Sequence, residues 1–290
     1  MRTESACGRE DSKSLAGPYT QPEMALGTRI KELLADSGLE PAVLWAYTRL
    51  SPAEKDDRLA LHVMKHALAE GSNCVDVGAH RGAMLQEIRR FAPHGRHFAI
   101  EPLPEFAGRL SRRYPDVTVI SCALSDHSGE TTFQYVRSNP AYSGIRQRDY
   151  PGMEEVAEIT VPLRRLDDIV PPELPIALIK LDVEGGEEAV VRGATGVIRR
   201  SKPLILFEHE RGAADRYGSG PGEMWELLVN QCGLQISLMS CWLGGEASLS
   251  AVAFEEQFEK GLSSYFLAHR PGCHGTCGAA HASPHSASGL

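Results

Sequence analysis

From Asn73 onward the chain settles into a rhythm in which short apolar runs, read as buried strands, alternate with amphipathic stretches read as helices. Cys74–Val77 leads to a helical pattern over Ala83–Phe91, His97–Ile100 leads to one over residues 104–114, and a third apolar run occupies 117–122. This alternation predicts an α/β fold, a mostly parallel sheet with helices on both faces. The rhythm breaks at 130–136 and 156–163, which alternate like exposed antiparallel strands around a polar loop, 138–152, carrying Tyr142, Arg146 and Arg148. It resumes with a strand at 175–183, a helix at 187–199, a strand at 203–208, a helix at 222–232 and strands at 234–241 and 264–268.

Open parallel sheets bind ligands beyond the carboxyl ends of their strands, so the residues at those ends matter most. The first strand runs into Val75-Asp76-Val77-Gly78-Ala79-His80-Arg81-Gly82, and the second ends in Ile100-Glu101-Pro102. A glycine turn lets backbone approach a ligand closely. An acid about 20 residues further on is placed to accept hydrogen bonds from ribose hydroxyls, and Glu101 meets that spacing. The turn reads Asp76-x-Gly78-x-x-x-Gly82 rather than the Gly-x-Gly-x-x-Gly of nicotinamide sites. A carboxylate inside an apolar strand is costly without a partner, and an acid here favours a cation over a pyrophosphate. Adenosine joined to a cationic amino acid is S-adenosylmethionine. The cofactor candidates are therefore Asp76, Gly78, Ala79, His80, Gly82, Glu101 and Pro102. A nicotinamide-dependent oxidoreductase is the disfavoured rival. A non-catalytic S-adenosylmethionine-binding partner subunit would explain these residues but not the next group.

That group is Ile179-Lys180-Leu181-Asp182-Val183-Glu184-Gly185-Gly186-Glu187. If the strand continues, Lys180, Asp182 and Glu184 share one side of it, and three charges at a sheet tip are expensive unless paired or used. Glu187 and Glu188 suit the start of the next helix. A further strand ends in Glu208-His209-Glu210, expected to open into the same crevice. Asp182 or His209 is expected as general base, with Lys180 and Glu184 orienting. Asp182, Glu184 and Glu208 form an alternative set for a hard divalent cation; the preferred reading is metal-free.

Together with Cys122-Ala123-Leu124-Ser125-Asp126, Leu166-Asp167-Asp168 and Pro203-Leu204-Ile205-Leu206-Phe207-Glu208, these motifs resemble the FkbM family of S-adenosylmethionine-dependent methyltransferases, over about residues 74–269. The lysine-to-glutamate run is the most specific element. Gly186 stands where family members often carry alanine. The resemblance implies a class I methyltransferase fold: a Rossmann-like three-layer sandwich with a seven-stranded sheet whose last strand is antiparallel. It implies that Asp76, Gly78 and Gly82 shape the cofactor pocket, that Glu101 holds the ribose, and that Ala123 and Leu124, with Ser125 or Asp126, border the adenine. It also implies O-methylation of a sugar, polyketide or related hydroxylated metabolite.

The remaining segments divide by composition. Residues 1–22 are small and charged without periodicity and are expected to be disordered. Residues 23–70 read as a helical segment, with Ser51-Pro52-Ala53-Glu54 as a capped start and Leu59, Leu61, Val63, Met64, Ala67 and Leu68 at helical spacing. Residues 71–270 form the cofactor-binding domain. Residues 271–290, rich in Gly, Ser and His, are expected to be a disordered tail, although Cys273, His274, Cys277, His281 and His285 have the chemistry of a soft-metal site. A net charge of −8 argues against nucleic acid as the partner. No apolar run reaches the roughly 18 residues a bilayer demands, and the polar start does not have the layout of a signal peptide. Seven scattered cysteines suit a reducing cytoplasm.

Overall fold

The structure, a computed structural model, describes residues 55–148, 150 and 152–275. The expected disorder at 1–22, most of the helical segment with its Ser51 cap, and the tail from 276 lie outside the described residues. Helix α1 (Lys55–Ala67) buries Ala60, Val63, Met64 and Ala67, the stripe that helical spacing picks out. The main sheet is built from β1 (Cys74–Val77), β2 (His97–Ile100), β3 (Thr118–Ile120), β7 (Leu178–Leu181), β8 (Leu204–Glu208), β9 (Gln235–Ser237) and β10 (Tyr265–His269). Its order is β3-β2-β1-β7-β8-β10-β9. The first five pair in parallel and β10 runs antiparallel to both neighbours. This is the class I methyltransferase arrangement.

Alternation along the strands divides the core in two. Val75, Val77, Phe98, Ile100, Ile179, Leu181, Ile205, Phe207 and Phe266 fill one face. That face is covered by α4 (Glu187–Arg192), α5 (Thr195–Ser201), the helix α6 (Pro221–Trp225) that continues as a π-helix over Glu226–Gln231, and α8 (Ala251–Glu259). Cys74, Leu178, Leu204, Leu206 and Leu267 fill the other, beneath α1, α2 (Ala83–Phe91) and α7 (Met239–Gly244). Asp76 and Lys180 belong to this second face and lie side by side in the β1–β7 register.

A smaller sheet stands beside the first: β4 (Ala123–Leu124), β6 (Val156–Arg164) and β5 (Gly129–Val136), in the order β4-β6-β5. Its inner side chains Phe133, Val161 and Leu163 pack on Leu103 and Phe106, the latter from α3 (Pro104–Arg113).

Several boundaries differ from the sequence reading for local reasons. Strand β7 ends at Leu181, so Asp182 and Glu184 do not continue it; the chain turns at Glu184, whose φ is 58°. The helix expected over 187–199 breaks at Gly193 and Ala194, where a side chain at Gly193 would collide with the Ser125 carbonyl. The second half starts afresh because the Asp167 carboxylate accepts the Gly196 and Val197 amides at 3.0 and 2.8 Å, a capping role that favours an anion. The strand expected over 234–241 stops at Ser237 and becomes α7. Helix α8 carries no sequence-level expectation, yet Ser250 caps it by accepting the Ala253 amide at 3.2 Å. The expected tail boundary moves as well: Gly275 sits against Leu243, and Cys273 packs on the second core. No helix among the described residues is long and apolar enough to cross a membrane.

Candidate active site

A cleft with roughly 830 Å³ of empty space, the solvent at its mouth included, opens at the carboxyl ends of β1, β2 and β7. Val77, Gly78 and His80 line it from β1, Ile100 to Leu103 from β2, and Asp182 to Glu184 from β7. Cys122, Ala123, Leu124 and Phe133 supply an apolar wall. Pro140, Ala141, Ser143 and Ile145, from the strap between β5 and β6, supply the roof.

Glu101 is the most constrained polar residue of the wall. It is 3% exposed. Its Oε2 accepts the His80 amide at 2.7 Å and its Oε1 accepts the Leu103 amide at 2.8 Å. Burial pushes its carboxyl up to about 7, although the two amides favour the charged form. His80 reaches this position through a left-handed turn, φ 46°. Its ring leans on Phe106, and burial lowers its pKa to about 4. Gly78 has φ 75°, and a Cβ there would land on the Asp182 carbonyl oxygen. The glycine is what lets the tips of β1 and β7 meet.

Beneath this floor lies a buried ionic group. Asp76 is fully buried; the Leu85 amide favours its charged form, and the Lys180 ammonium lies 3.8 Å away. Lys180 also reaches Asp182 Oδ2 at 2.9 Å and donates to the Gly78 carbonyl at 3.4 Å. Burial opposes the charge on Lys180, but Asp182 and Asp76 more than offset it and raise its pKa. Asp182 is the mirror case. Burial resists its ionisation, yet Lys180 and the Tyr265 hydroxyl, donated at 3.3 Å, hold it below the ordinary carboxylate range. Its side chain remains 34% exposed to the cleft.

Glu184 pairs with Arg148 of the strap, whose guanidinium also stacks over Tyr142 at 4.7 Å. Burial, and the neighbouring Asp182, Glu187 and Glu210 despite Arg148, push Glu184 up to about 8. The strap is pinned again where the Arg146 amide donates to the Tyr217 hydroxyl at 3.1 Å. Glu187 accepts the Val183 and Gly185 amides at 2.9 and 3.4 Å and so shapes the turn.

Of the residues singled out in the sequence, Gly78, His80, Glu101, Pro102, Ala123, Leu124, Asp182 and Glu184 line one cleft. Five others do not. Asp76 and Lys180 lie under the floor, because strand alternation turns both into the second core face. Ala79 is buried among Leu85, Leu110 and Tyr114. Gly82 caps α2, where a Cβ would press on Leu110 and Tyr114. Asp126 is exposed and bonded to Ser125 and His127. His209 is the largest correction. Adjacent strand residues face opposite sides, so Glu208 stays with Asp182 while His209 lies under α8, 4.7 Å from the Phe258 ring and 6.0 Å from that of Phe254. Burial lowers its pKa to about 4. It does not line the cleft. Sequence reasoning missed Tyr265, Tyr217 and Cys122 and did not use Arg148. The polar strap between two alternating strands was the available signal for Arg148. Among the described residues no group of three or more His, Cys, Asp or Glu side chains is arranged to hold a metal ion.

The profile of the Methyltransferase FkbM domain matches residues 76–236. The AMB antimetabolite synthetase AmbE of Pseudomonas aeruginosa is 28% identical over 204 residues, 57% of this chain and 10% of that protein. Methyltransferase sdnD of Sordaria araneosa is 27% identical over 152 residues, 41% of this chain and 59% of that protein. The chain thus spans a tenth and about three fifths of these two relatives. The crystal structure of methyltransferase FkbM from Methylobacillus flagellatus aligns with a TM-score of 0.45 at 16% identity, covering 86% of this chain and 60% of that one.

Proposed function

Because the chain belongs to the FkbM family of S-adenosylmethionine-dependent methyltransferases, we propose that it O-methylates a hydroxyl of a small, uncharged metabolite such as a sugar or polyketide. The observation that carries this reading is the pairing, in one cleft, of a clamped Glu101 at one end with an ionised Asp182 at the other.

The cleft residues fit the cofactor. Each Glu101 oxygen accepts one amide and keeps a second acceptor site, enough for two ribose hydroxyls. The wall of Leu103, Cys122, Ala123, Leu124 and Phe133 suits a flat adenine. Bound here, S-adenosylmethionine supplies a methyl group on a positively charged sulfur for in-line displacement. Asp182 then has a modest task. A low pKa makes it a weak base, but an alcohol oxygen becomes strongly acidic as it gains a methyl group. A carboxylate that stays ionised, orients the hydroxyl and takes the proton late is sufficient, and positioning supplies most of the advantage. The carboxyls of Glu184, Glu208 and Glu210 bear on the Arg148 guanidinium of the strap and, with Asp182, leave little positive charge there for an anionic acceptor.

Two measurements test the reading. Calorimetry is expected to show S-adenosylmethionine binding in the micromolar range, about 8 kcal/mol. Incubation with isotope-labelled cofactor and pooled hydroxylated metabolites, read by mass spectrometry, is expected to yield a labelled methyl ether. Folded protein that takes up no cofactor would sink the proposal, and label found only on nitrogen or carbon would replace the hydroxyl acceptor.

A further inference from the structure

We infer that Tyr265 is a positioning residue that acts with Lys180 to clamp one oxygen of Asp182 and present the other to the acceptor; this rests on the role of Asp182 proposed above. Both donors converge on Oδ2: the Lys180 ammonium at 2.9 Å and the Tyr265 hydroxyl at 3.3 Å. Among the described residues no donor reaches Oδ1. An ammonium alone is a point charge that either oxygen can satisfy. A second donor from a different strand fixes the plane of the carboxylate, and with it the direction of the free lone pairs.

The topology explains how a residue 83 positions away reaches Asp182. In the register of β8 and β10, Tyr265 stands opposite Glu208, and β7 lies on the other side of β8. Lys180, Glu208 and Tyr265 therefore share the sheet face beneath α1, and Asp182, just past the end of β7, turns to the same side to meet Lys180 and Tyr265. Tyr265 lies beyond the stretch, 76–236, that carries the family match. The groups that bear on this carboxylate are Lys180 from β7, Asp76 from β1, His80 from the turn after β1, Glu184 and Glu187 from the turn after β7, Glu208 and Glu210 at the end of β8, and Tyr265 from β10. Asp57 of α1 bears on Lys180 and Tyr265 from above. Burial, with Asp182, Glu208 and Asp57 around it, raises the Tyr265 hydroxyl well above its usual range. The phenol stays protonated, a permanent donor and never the base.

The test is a carbon-13 NMR titration of the aspartate carboxyls, from pH 7 down to the onset of acid unfolding. The Asp182 resonance is assigned by its absence in Asp182→Asn. Tyr265→Phe removes only the hydroxyl and is expected to bring Asp182 titration to higher pH, by about one pH unit or tenfold in proton affinity. S-adenosylmethionine affinity by calorimetry is expected to stay within twofold. Should Tyr265→Phe fail to fold, 3-fluorotyrosine at position 265, a stronger donor, is expected to move the titration the other way. An Asp182 titration unchanged by either substitution overturns the clamp and leaves the role of Asp182 in transfer standing. A shifted titration alongside full turnover in Asp182→Asn, assayed on the labelled acceptor, overturns that role and the contribution of Tyr265 with it.

Discussion

The two ends of the cleft are built on different principles. At the proposed cofactor end a single carboxylate, Glu101, is held by neutral backbone amides from residues 21 and 2 positions away along the chain. At the proposed acceptor end the contacts span long separations: the Tyr265 hydroxyl to Asp182 over 83 residues, the Arg146 amide to the Tyr217 hydroxyl over 71, and the Arg148–Glu184 ion pair over 36. A site made from one turn and one strand tip is fixed as soon as those elements form. A site made by strand order and a strap can change its acceptor by changing the strap, without disturbing the cofactor. The fold thus separates what a methyltransferase must keep from what it is free to vary.

Lys180 is where the two ends join, and breaking it is expected to have the largest effect. Lys180→Met leaves Asp76 buried at the centre of the sheet without a counter-ion. Removing one partner of a buried pair costs about 3–5 kcal/mol, read as a fall in the urea midpoint with an unchanged slope. Adding Asp76→Asn to the same chain is expected to recover a good part of the loss. If the double variant is no better than the single one, the β1–β7 floor does not depend on this pair and the two ends are independent.

The next two substitutions separate the ends. Asp182→Asn is expected to lower turnover by about 100-fold, the scale of losing a proton acceptor, while cofactor affinity stays within a few fold. Glu101→Ala is expected to weaken cofactor binding by about 1.5–3 kcal/mol, because the lost hydrogen bonds go to a charged acceptor. Crossed outcomes, with Asp182 controlling affinity and Glu101 only turnover, would break the division.

Glu101 sharpens it further through pH. Its folded pKa is raised to about 7 from an ordinary 4.5. The stability it contributes is therefore fully present below pH 4.5 and is lost as pH rises through 7. Ribose recognition needs the ionised form, so cofactor affinity is expected to run the other way, falling up to about tenfold per pH unit below 7. Calorimetry between pH 5.5 and 8 is expected to show this slope in the wild type and a flat profile in Glu101→Gln.

This division also marks what was legible in the sequence. The strands Cys74–Val77 and His97–Ile100, the turn at Gly78 and the place of Glu101 at a strand tip are local, set by apolar runs and a glycine. The antiparallel strand Tyr265–His269 was visible as a strand, but its insertion between β8 and β9 was not, so Tyr265 gave no signal. His209 misled because a strand tip reading Glu-His-Glu looks like a site. Only the direction of each side chain tells that the imidazole belongs to the Phe254 and Phe258 core. Lys180 and Asp76 were rightly seen as needing partners, and the register that makes them each other's partner is long-range. Residues 187–199 read as one helix because the break at Gly193 is imposed by the Ser125 carbonyl, a contact across the fold.

The smallest expected effect tests the strap. Arg148 and Glu184 are 25% and 21% exposed, so solvent screens part of their attraction and the pair contributes about 1 kcal/mol. Arg148→Met also limits its own damage. Burial and neighbouring carboxylates already raise Glu184 to about 8 even beside the guanidinium, so at pH 7 its carboxyl is mostly neutral and losing Arg148 leaves little unpaired charge. Since its folded pKa lies above its unfolded value, the favourable contribution of the neutral form is complete below pH 4.5 and fades as pH rises through 8. The variant is thus expected to melt only a degree or two lower at pH 7 and several degrees lower at pH 9. Cofactor affinity is expected to be unchanged at both, because no cofactor-end residue touches the pair. Thermal unfolding and calorimetry at the two pH values check this. Loss of affinity alongside the loss of stability would show that the strap closes over the cofactor as well as the acceptor, and the separation of the two ends would then be weaker than the hydrogen bonds of Glu101 imply.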